Sequence, residues 1–155
     1  MNPFIRLRPV EPADLPILCE HQLDPEAVCL AAVIPRQPEA FHKHWVAILP
    51  KADTVTRTIV LNDVVVGQIT CFPCEGQPTV GYWIGREFWG RGIATRALQL
   101  LLEEVSIRPL HATVATANIA SIRALLRNGF IIVGTRDSPA TDRYLACEET
   151  ILRLE

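Results

Sequence analysis

Between Glu87 and Val105 the chain reads EFWGRGIATRALQLLLEEV, with Gly90 and Gly92 on either side of Arg91 and with Arg86 and Arg96 close by. Glycine has no Cβ to hold another molecule off the backbone, and it adopts left-handed φ values freely. The first turn of a helix presents unpaired N–H groups and the positive end of a dipole. Together these features make a cradle for an anion, above all for a phosphate. The amides of Gly90, Arg91, Gly92, Ile93, Ala94 and Thr95 are the ones able to converge, and Ala94 keeps the approach open. Arg86, Arg91 and Arg96 could add charge at the rim. The competing reading is a glycine-rich turn from strand to helix with no ligand.

Two familiar nucleotide motifs do not fit. The dinucleotide fingerprint G-x-G-x-x-G would place its third glycine at Thr95, and no acidic residue lies in the following strand, LHATVAT, where a ribose ligand belongs. The G-x-x-x-x-G-K-S/T loop is absent.

The elements that must hold this loop are legible from periodicity. FIRLRPV alternates as a first strand, and EPADLPILCEHQ follows as a short helix starting near Pro12 or Asp14. From Asp24 to Pro38 the pattern is weak, with prolines at 25, 35 and 38; PEAFHKHWVAIL then predicts a second helix with Phe41, Trp45 and Ile48 or Leu49 on one stripe. TRTIVLNDVVVGQITCF reads as two strands joined at Asn62–Asp63, GQP at 76–78 as a turn, and TVGYWIG as a third strand. Tyr82, Trp83, Phe88 and Trp89 cluster before the glycine loop, mostly as core residues, though Trp89 could line the acceptor side. After the loop, Ile93, Ala97, Leu98, Leu101, Leu102 and Val105 form an apolar helix face opposite Thr95, Arg96, Gln99, Glu103 and Glu104. LHATVAT is a strand. NIASIRALLRNGF is a helix with Asn118 as N-cap and Gly129 just past its end. FIIVGTR and RYLACEETILRL close the chain as strands. The order is strand, two helices, three strands, helix, strand, helix, two strands: an α+β or mixed α/β domain spanning 1–155.

Composition narrows the function. A chain of 155 residues with net charge −2 is not a general nucleic-acid or membrane-surface binder. No run approaches a membrane span, and MNPFIRLRPVEP lacks the apolar core of a leader, so a cytoplasmic protein is expected. Five cysteines without a secretory signal are expected to be reduced. Cys71 and Cys74 have the C-x-x-C spacing of a redox pair but end a strand instead of opening a helix, and no second pair completes a metal site. No metal is expected.

GYWIGREFWGRGIATRALQLLLEEV, followed by NIASIRALLRNGF, resembles the GNAT superfamily of acyl-CoA-dependent N-acyltransferases, and most closely the branch containing the ribosomal-protein N-terminal acetyltransferases. The superfamily loop Gln/Arg-x-x-Gly-x-Gly/Ala aligns with Trp89 to Ala94, with Trp89 departing from the first position. The second element, Asn-x-x-Ser ending in Gly-Phe, matches Asn118, Ser121, Gly129 and Phe130. The resemblance implies a central mixed sheet splayed between its fourth and fifth strands, flanked by about four helices, with acetyl-CoA as co-substrate. It implies backbone contacts from Trp83 and Ile84 to the pantetheine arm, a diphosphate on Arg91 to Thr95, and Asn118 and Ser121 facing the thioester. Arg127 is then either a partner of the nucleotide end or a solvated helix charge.

The implied reaction is direct attack of a primary amine on the thioester in a ternary complex, with the amine coming from a protein N-terminus, an amino acid or a small metabolite. Leu125 stands where many members carry a proton-donating tyrosine, which leaves Ser121 as the candidate acid or as a helix cap. Thr79 stands where relatives carry a basic glutamate; Glu75, His21 and Glu26 are the alternatives, and none is assigned. The rival readings are a non-catalytic acyl-CoA sensor and a thiol redox module. Oligomeric state, a homodimer included, is left open.

Overall fold

A computed structural model describes residues 4–155; Met1–Pro3, the start of the stretch tested for a leader, lie outside them. One seven-stranded sheet runs across the molecule in the order β1-β2-β3-β4-β5-β7-β6. Its strands are β1 (Ile5–Pro9), β2 (Val55–Leu61), β3 (Val64–Cys74), β4 (Gln77–Ile84), β5 (Leu110–Ala115), β6 (Ile131–Ser138) and β7 (Cys147–Leu154). The helices are α1 (Leu15–Leu23), α2 (Pro25–Ala31), α3 (Pro38–Ile48), α4 (Ile93–Glu104) and α5 (Ile119–Arg127). All neighbouring strands are antiparallel except β4 and β5, which are parallel.

Local signals account for most of these boundaries. Asn62 and Asp63 both take positive φ, 47° and 69°, the two-residue turn whose twist suits a hairpin. Strand alternation then sends Ile59 and Leu61 into the cluster packed under α4, while Thr58 beside Ile59 bonds Asp14 on the other face. Ile93, Ala97, Leu98 and Leu101 bury the inner stripe of α4 against that cluster. Across the sheet, Leu15 and Leu18 of α1 pack with Phe41 and Trp45 of α3.

Three expectations shift. A third helix, α2, precedes β2, so five helices flank the sheet. Its signal is present in the chain: Asp24 accepts from the Ala27 N–H as N-cap, with Pro25 at the first helical position. The turn expected at 76–78 lies at Glu75 and Gly76, with φ of 52° and 77°, and Gln77 and Pro78 already belong to β4. The last strand starts at Cys147, because residues 143–145 pair with 32–34 instead, through the Val33–Tyr144 bridge.

Gly67 on β3 lies opposite Ile84, and a Cβ there would sit 2.2 Å from the Trp83 carbonyl oxygen and 3.1 Å from the Ile84 Cα. Both obstacles are backbone, so neither can swing away. Gly67→Ala is expected to destabilise the protein by about 3 kcal/mol, the upper part of the range for overpacking. Urea midpoints of the two proteins check this; equal midpoints would mean that the β3–β4 contact yields freely.

Candidate functional site

The parallel pair β4–β5 is joined only at Thr79 and His111. Beyond that point β4 continues to Ile84 and β5 to Ala115 without pairing with each other, so the sheet forks. On the closed side the Gly85 N–H donates to the Val66 carbonyl at 2.9 Å. The two-residue alternation of an antiparallel ladder therefore turns the backbone groups of Trp83 toward β3, and those of Tyr82 and Ile84 into the fork. The expectation that Trp83 offers its backbone there is corrected: its neighbour Tyr82 does so, alongside Ile84. The Ile84 carbonyl already accepts from the Trp89 indole at 2.9 Å, which pins the loop to the strand end.

The loop then runs into α4. Gly90 and Gly92 have φ of 77° and 73°, and a Cβ on either would meet nothing within 4 Å. Positive φ and open space are what a backbone anion cradle requires. Gly92 is the N-cap of α4 and gives the helix no side-chain cap, whereas Asn118 caps α5 by accepting from the Ser121 N–H at 3.4 Å. Among the described residues, the first-turn amides of Ile93, Ala94 and Thr95 thus have no side-chain partner. Asn128, which no sequence motif singles out, braces this turn by donating to the Thr95 and Ala124 carbonyls at 3.1 and 3.0 Å.

Fork and helix start open into one cleft of about 390 Å³. Gly90, Gly92, Ile93, Ala94 and Thr95 form its floor, Asn118, Ser121, Arg123 and Arg127 one wall, and Ala27, Leu30 and Ala31 of α2 the other. The charge at this cleft differs from expectation. Arg86 is bound to Asp24 at 2.9 Å and Glu26 at 3.3 Å, Arg91 lies over the Phe88 ring, and Arg96 donates to Gln99. Of the three, none lines the cleft; its cations are Arg123 and Arg127 of α5. Arg127, exposed on α5, lines the cleft wall. Trp89, which could have faced an acceptor, also lies on this side.

A second cavity, of about 460 Å³, opens on the other side of the same strand end, and Tyr82 and Trp83 line both. Where the two meet, the Tyr82 hydroxyl lies 2.7 Å from Ser121 Oγ and donates to the Ser121 carbonyl at 2.9 Å. Burial pushes the Tyr82 phenol up to about 12 against the opposing bond to Ser121, so it keeps its proton at neutral pH. In the sequence Tyr82 is one of several aromatics with the look of core residues. Only its pairing with a helix distant in the chain reveals the hydroxyl pair.

The alternatives for a base separate clearly. Glu75 pairs with Arg136 and Glu26 with Arg86, and neither lines either of these two cavities. His21 does line the second cavity. Burial holds its imidazole below the usual value, against the raising effect of Glu87 and Glu20. Yet its Nδ1 is shut off from solvent without a hydrogen-bond partner, and Nε2 is packed against Gly85. Placing the proton on Nε2 leaves the closed nitrogen as a bare lone pair, the less costly arrangement. Its carbonyl accepts from the Trp83 indole at 3.0 Å, tying α1 to β4. Thr79 is buried and donates to the Gln77 carbonyl, and Leu125 is wholly buried in the core.

The cysteines are all free. Cys71 is buried, with burial pushing its thiol up against the lowering effect of Arg108, and Cys74 is exposed three residues on along a strand. Residues at that spacing point to opposite faces, so the pair has no redox geometry.

Residues 5–131 match the model of the acetyltransferase (GNAT) domain. The uncharacterized N-acetyltransferase p20 of Bacillus licheniformis is 26% identical over an alignment of 136 residues, gaps included, and the match covers 78% of this chain and 75% of that one. An acetyltransferase of the GNAT family from Bacillus anthracis superposes with a TM-score of 0.81 at 16% identity, covering 97% of this chain and 93% of the other. RimJ of Mycobacterium smegmatis, solved in complex with CoA-disulfide, gives 0.77 at 22% identity, covering 99% and 90%. RimL, a ribosomal L7/L12 alpha-N-protein acetyltransferase solved with coenzyme A, gives 0.77 at 19% identity, covering 96% and 92%.

Proposed function

The chain belongs to the acetyltransferase (GNAT) domain family, and on that premise we propose that it acts as a single domain moving an acetyl group from acetyl-CoA to a primary amine, by direct attack in a ternary complex. The observation that carries this reading is the end of β4, unpaired on the side that faces β5, beside a helix start without a side-chain cap, both opening into one cleft. Backbone groups of Tyr82 and Ile84 would pair with the amide-rich arm of the co-substrate, as a strand would. Amides from Gly92 to Thr95 would hold the diphosphate, with Arg123 and Arg127 countering its charge.

Acetyl-CoA supplies an activated acyl carbonyl; the protein's own residues supply position and protons. Holding both reactants at one strand end converts a two-body encounter into a local step, worth several orders of magnitude in rate. The amine must lose a proton and the departing sulfur must gain one, so the net transfer is internal to the reactants. Ser121 Oγ is the hydroxyl that passes it, giving its proton to the sulfur and recovering one from the nitrogen side. Tyr82, protonated at neutral pH, orients that hydroxyl.

Ser121→Ala is expected to lower kcat by about a hundredfold, in keeping with general acid contributions. Tyr82→Phe is expected to lower kcat by about tenfold, as one hydrogen bond would. Acetyl-CoA affinity should change in neither. Normal kcat in both variants would remove the hydroxyl pair from the chemistry. Thiol release from acetyl-CoA across a panel of primary amines tests the activity itself. Tight coenzyme A binding with no amine-dependent release would favour the non-catalytic sensor and overturn the transferase reading.

A further inference from the structure

The cavity on the far side of Tyr82 and Trp83 carries more charge than its depth would lead one to expect. Arg36, Lys51 and Arg143 line it, with the His44 imidazole, against one carboxylate, Asp53, at its exposed edge. Among the described residues none of these three cations has a carboxylate oxygen within 4 Å, whereas Arg8, Arg57, Arg86 and Arg136 all do. Arginines on an ordinary wet surface need no partner. Arg36 and Arg143 are different, because the fold holds both in place.

Arg36 is fixed by its backbone. The carboxamide of Gln22, buried on α1, donates to the Arg36 carbonyl at 2.7 Å and accepts from the Arg36 N–H at 3.0 Å. Arg143 is brought beside it by the crossing of residues 32–34 with 143–145: the Ile34 N–H donates to the Arg143 carbonyl at 2.7 Å and the Leu145 N–H to the Ala32 carbonyl at 2.9 Å. The Arg143 guanidinium also donates to the Ile34 carbonyl. Half-buried like-charged groups repel, and the effect on their neighbours is plain. Burial and the charge of Arg143 lower Arg36. Burial first, then Arg36, Arg143 and Lys51, drive His44 down to about 4, leaving it neutral at pH 7. A fold that keeps unneutralised cations at an open cavity is arranged for an anion that comes from outside.

We propose that the acceptor amine itself carries an anionic group, a carboxylate or a phosphate, which binds between Arg36 and Arg143 while the amine reaches the Tyr82–Trp83 end of the same cavity. This deepens the transferase reading and rests on it. The arrangement also serves the chemistry. A positive field disfavours the ammonium form of the acceptor, so the neutral, nucleophilic amine is reached without a dedicated base. That fits a cavity whose lining holds one carboxylate, Asp53, at its exposed edge.

Matched acceptors that differ only in the anion test it: β-alanine against β-alaninamide, phosphoethanolamine against ethanolamine, and an amidated dipeptide beginning with Glu against one beginning with Gln. The first two pairs report a small metabolite, the third an acidic polypeptide terminus. In at least one pair the anionic member should have a kcat/KM higher by about tenfold or more, the worth of one charge-assisted contact. Arg36→Gln with Arg143→Gln should erase that advantage and leave acetyl-CoA affinity unchanged, and Arg143→Lys should keep part of it. Neutral members acting as well as anionic ones, or an advantage that survives the double substitution, would overturn the proposal. If no amine is acetylated, the transferase reading fails separately, and inorganic phosphate then serves as the probe, with coenzyme A filling the other cleft. Quenching of tryptophan fluorescence by phosphate, lost in a double variant of unchanged circular dichroism, would support the anion site; no phosphate binding by the parent protein would overturn it.

Discussion

Gly92→Glu is expected to abolish acetyl-CoA binding, weakening it by at least about a hundredfold, while the chain still folds. Two separate costs act at this position. Gly92 has φ of 73°, so any L-residue there is strained by about 1–2 kcal/mol. No atom lies within 4 Å of the added Cβ, so no clash adds to that strain, and the melting temperature should fall by only a few degrees. The side chain then projects into the space where the first-turn amides of α4 would meet a diphosphate. A carboxylate there repels the ligand and takes the unpaired N–H groups for itself, as a capping glutamate would. Gly92→Ala separates the two costs: it carries the strain without the charge and should lose about tenfold or less. Calorimetric titration of acetyl-CoA into the three proteins is the measurement. Binding by the glutamate variant within a few-fold of the parent would remove this loop as the diphosphate site, whatever the family membership of the chain.

Asp14→Ala is expected to destabilise the protein by about 3–5 kcal/mol, the cost of breaking a buried pair by removing one partner. Asp14 is 3% exposed, in the tight turn (Pro12–Asp14) between β1 and α1. Its carboxylate takes both arms of the Arg8 guanidinium, at 2.7 and 2.8 Å, the Glu11 N–H at 2.8 Å and the Thr58 hydroxyl at 2.8 Å. Burial alone would raise its pKa. The bonds from Arg8, Glu11 and Thr58, with the charge of Arg8, outweigh burial and hold it below the usual carboxylate range. The folded value therefore lies below the unfolded one. The stability this group contributes is complete above the unfolded pKa of about 3.9 and is lost as pH falls through the folded value. Urea midpoints at neutral pH should separate parent and variant widely, and the gap should narrow in acid below about pH 4. A constant gap down to pH 2 would mean that packing, and not the ionised carboxylate, accounts for the loss.

Much of the glycine loop and of its supporting elements is legible in the chain itself. The glycines, the N-cap role of Asn118, the Asn62–Asp63 turn and the apolar stripe of α4 follow from contacts within one helical turn or one hairpin, so spacing in the chain carries them. The helix α2 has the same kind of signal in Asp24-Pro25-Glu26, but the prolines at 35 and 38 obscure it. The rim charges fail for another reason. Arginine reaches far, and Arg86 finds Asp24 and Glu26 on a segment distant in sequence.

Sequence alone determined the order of elements apart from α2, the two glycines that precede α4 and the Asn118 cap of α5, because local backbone preference and short-range periodicity specify each of them. Tertiary structure decided which backbone groups enter the fork, since a one-residue change of parity exchanges Trp83 for Tyr82 and only strand pairing sets that parity. It also decided that Tyr82 meets Ser121, and that Arg36 meets Arg143 across a crossing of two segments far apart in the chain. Such meetings depend on register and on long-range closure, and neither is encoded in the spacing of neighbouring residues.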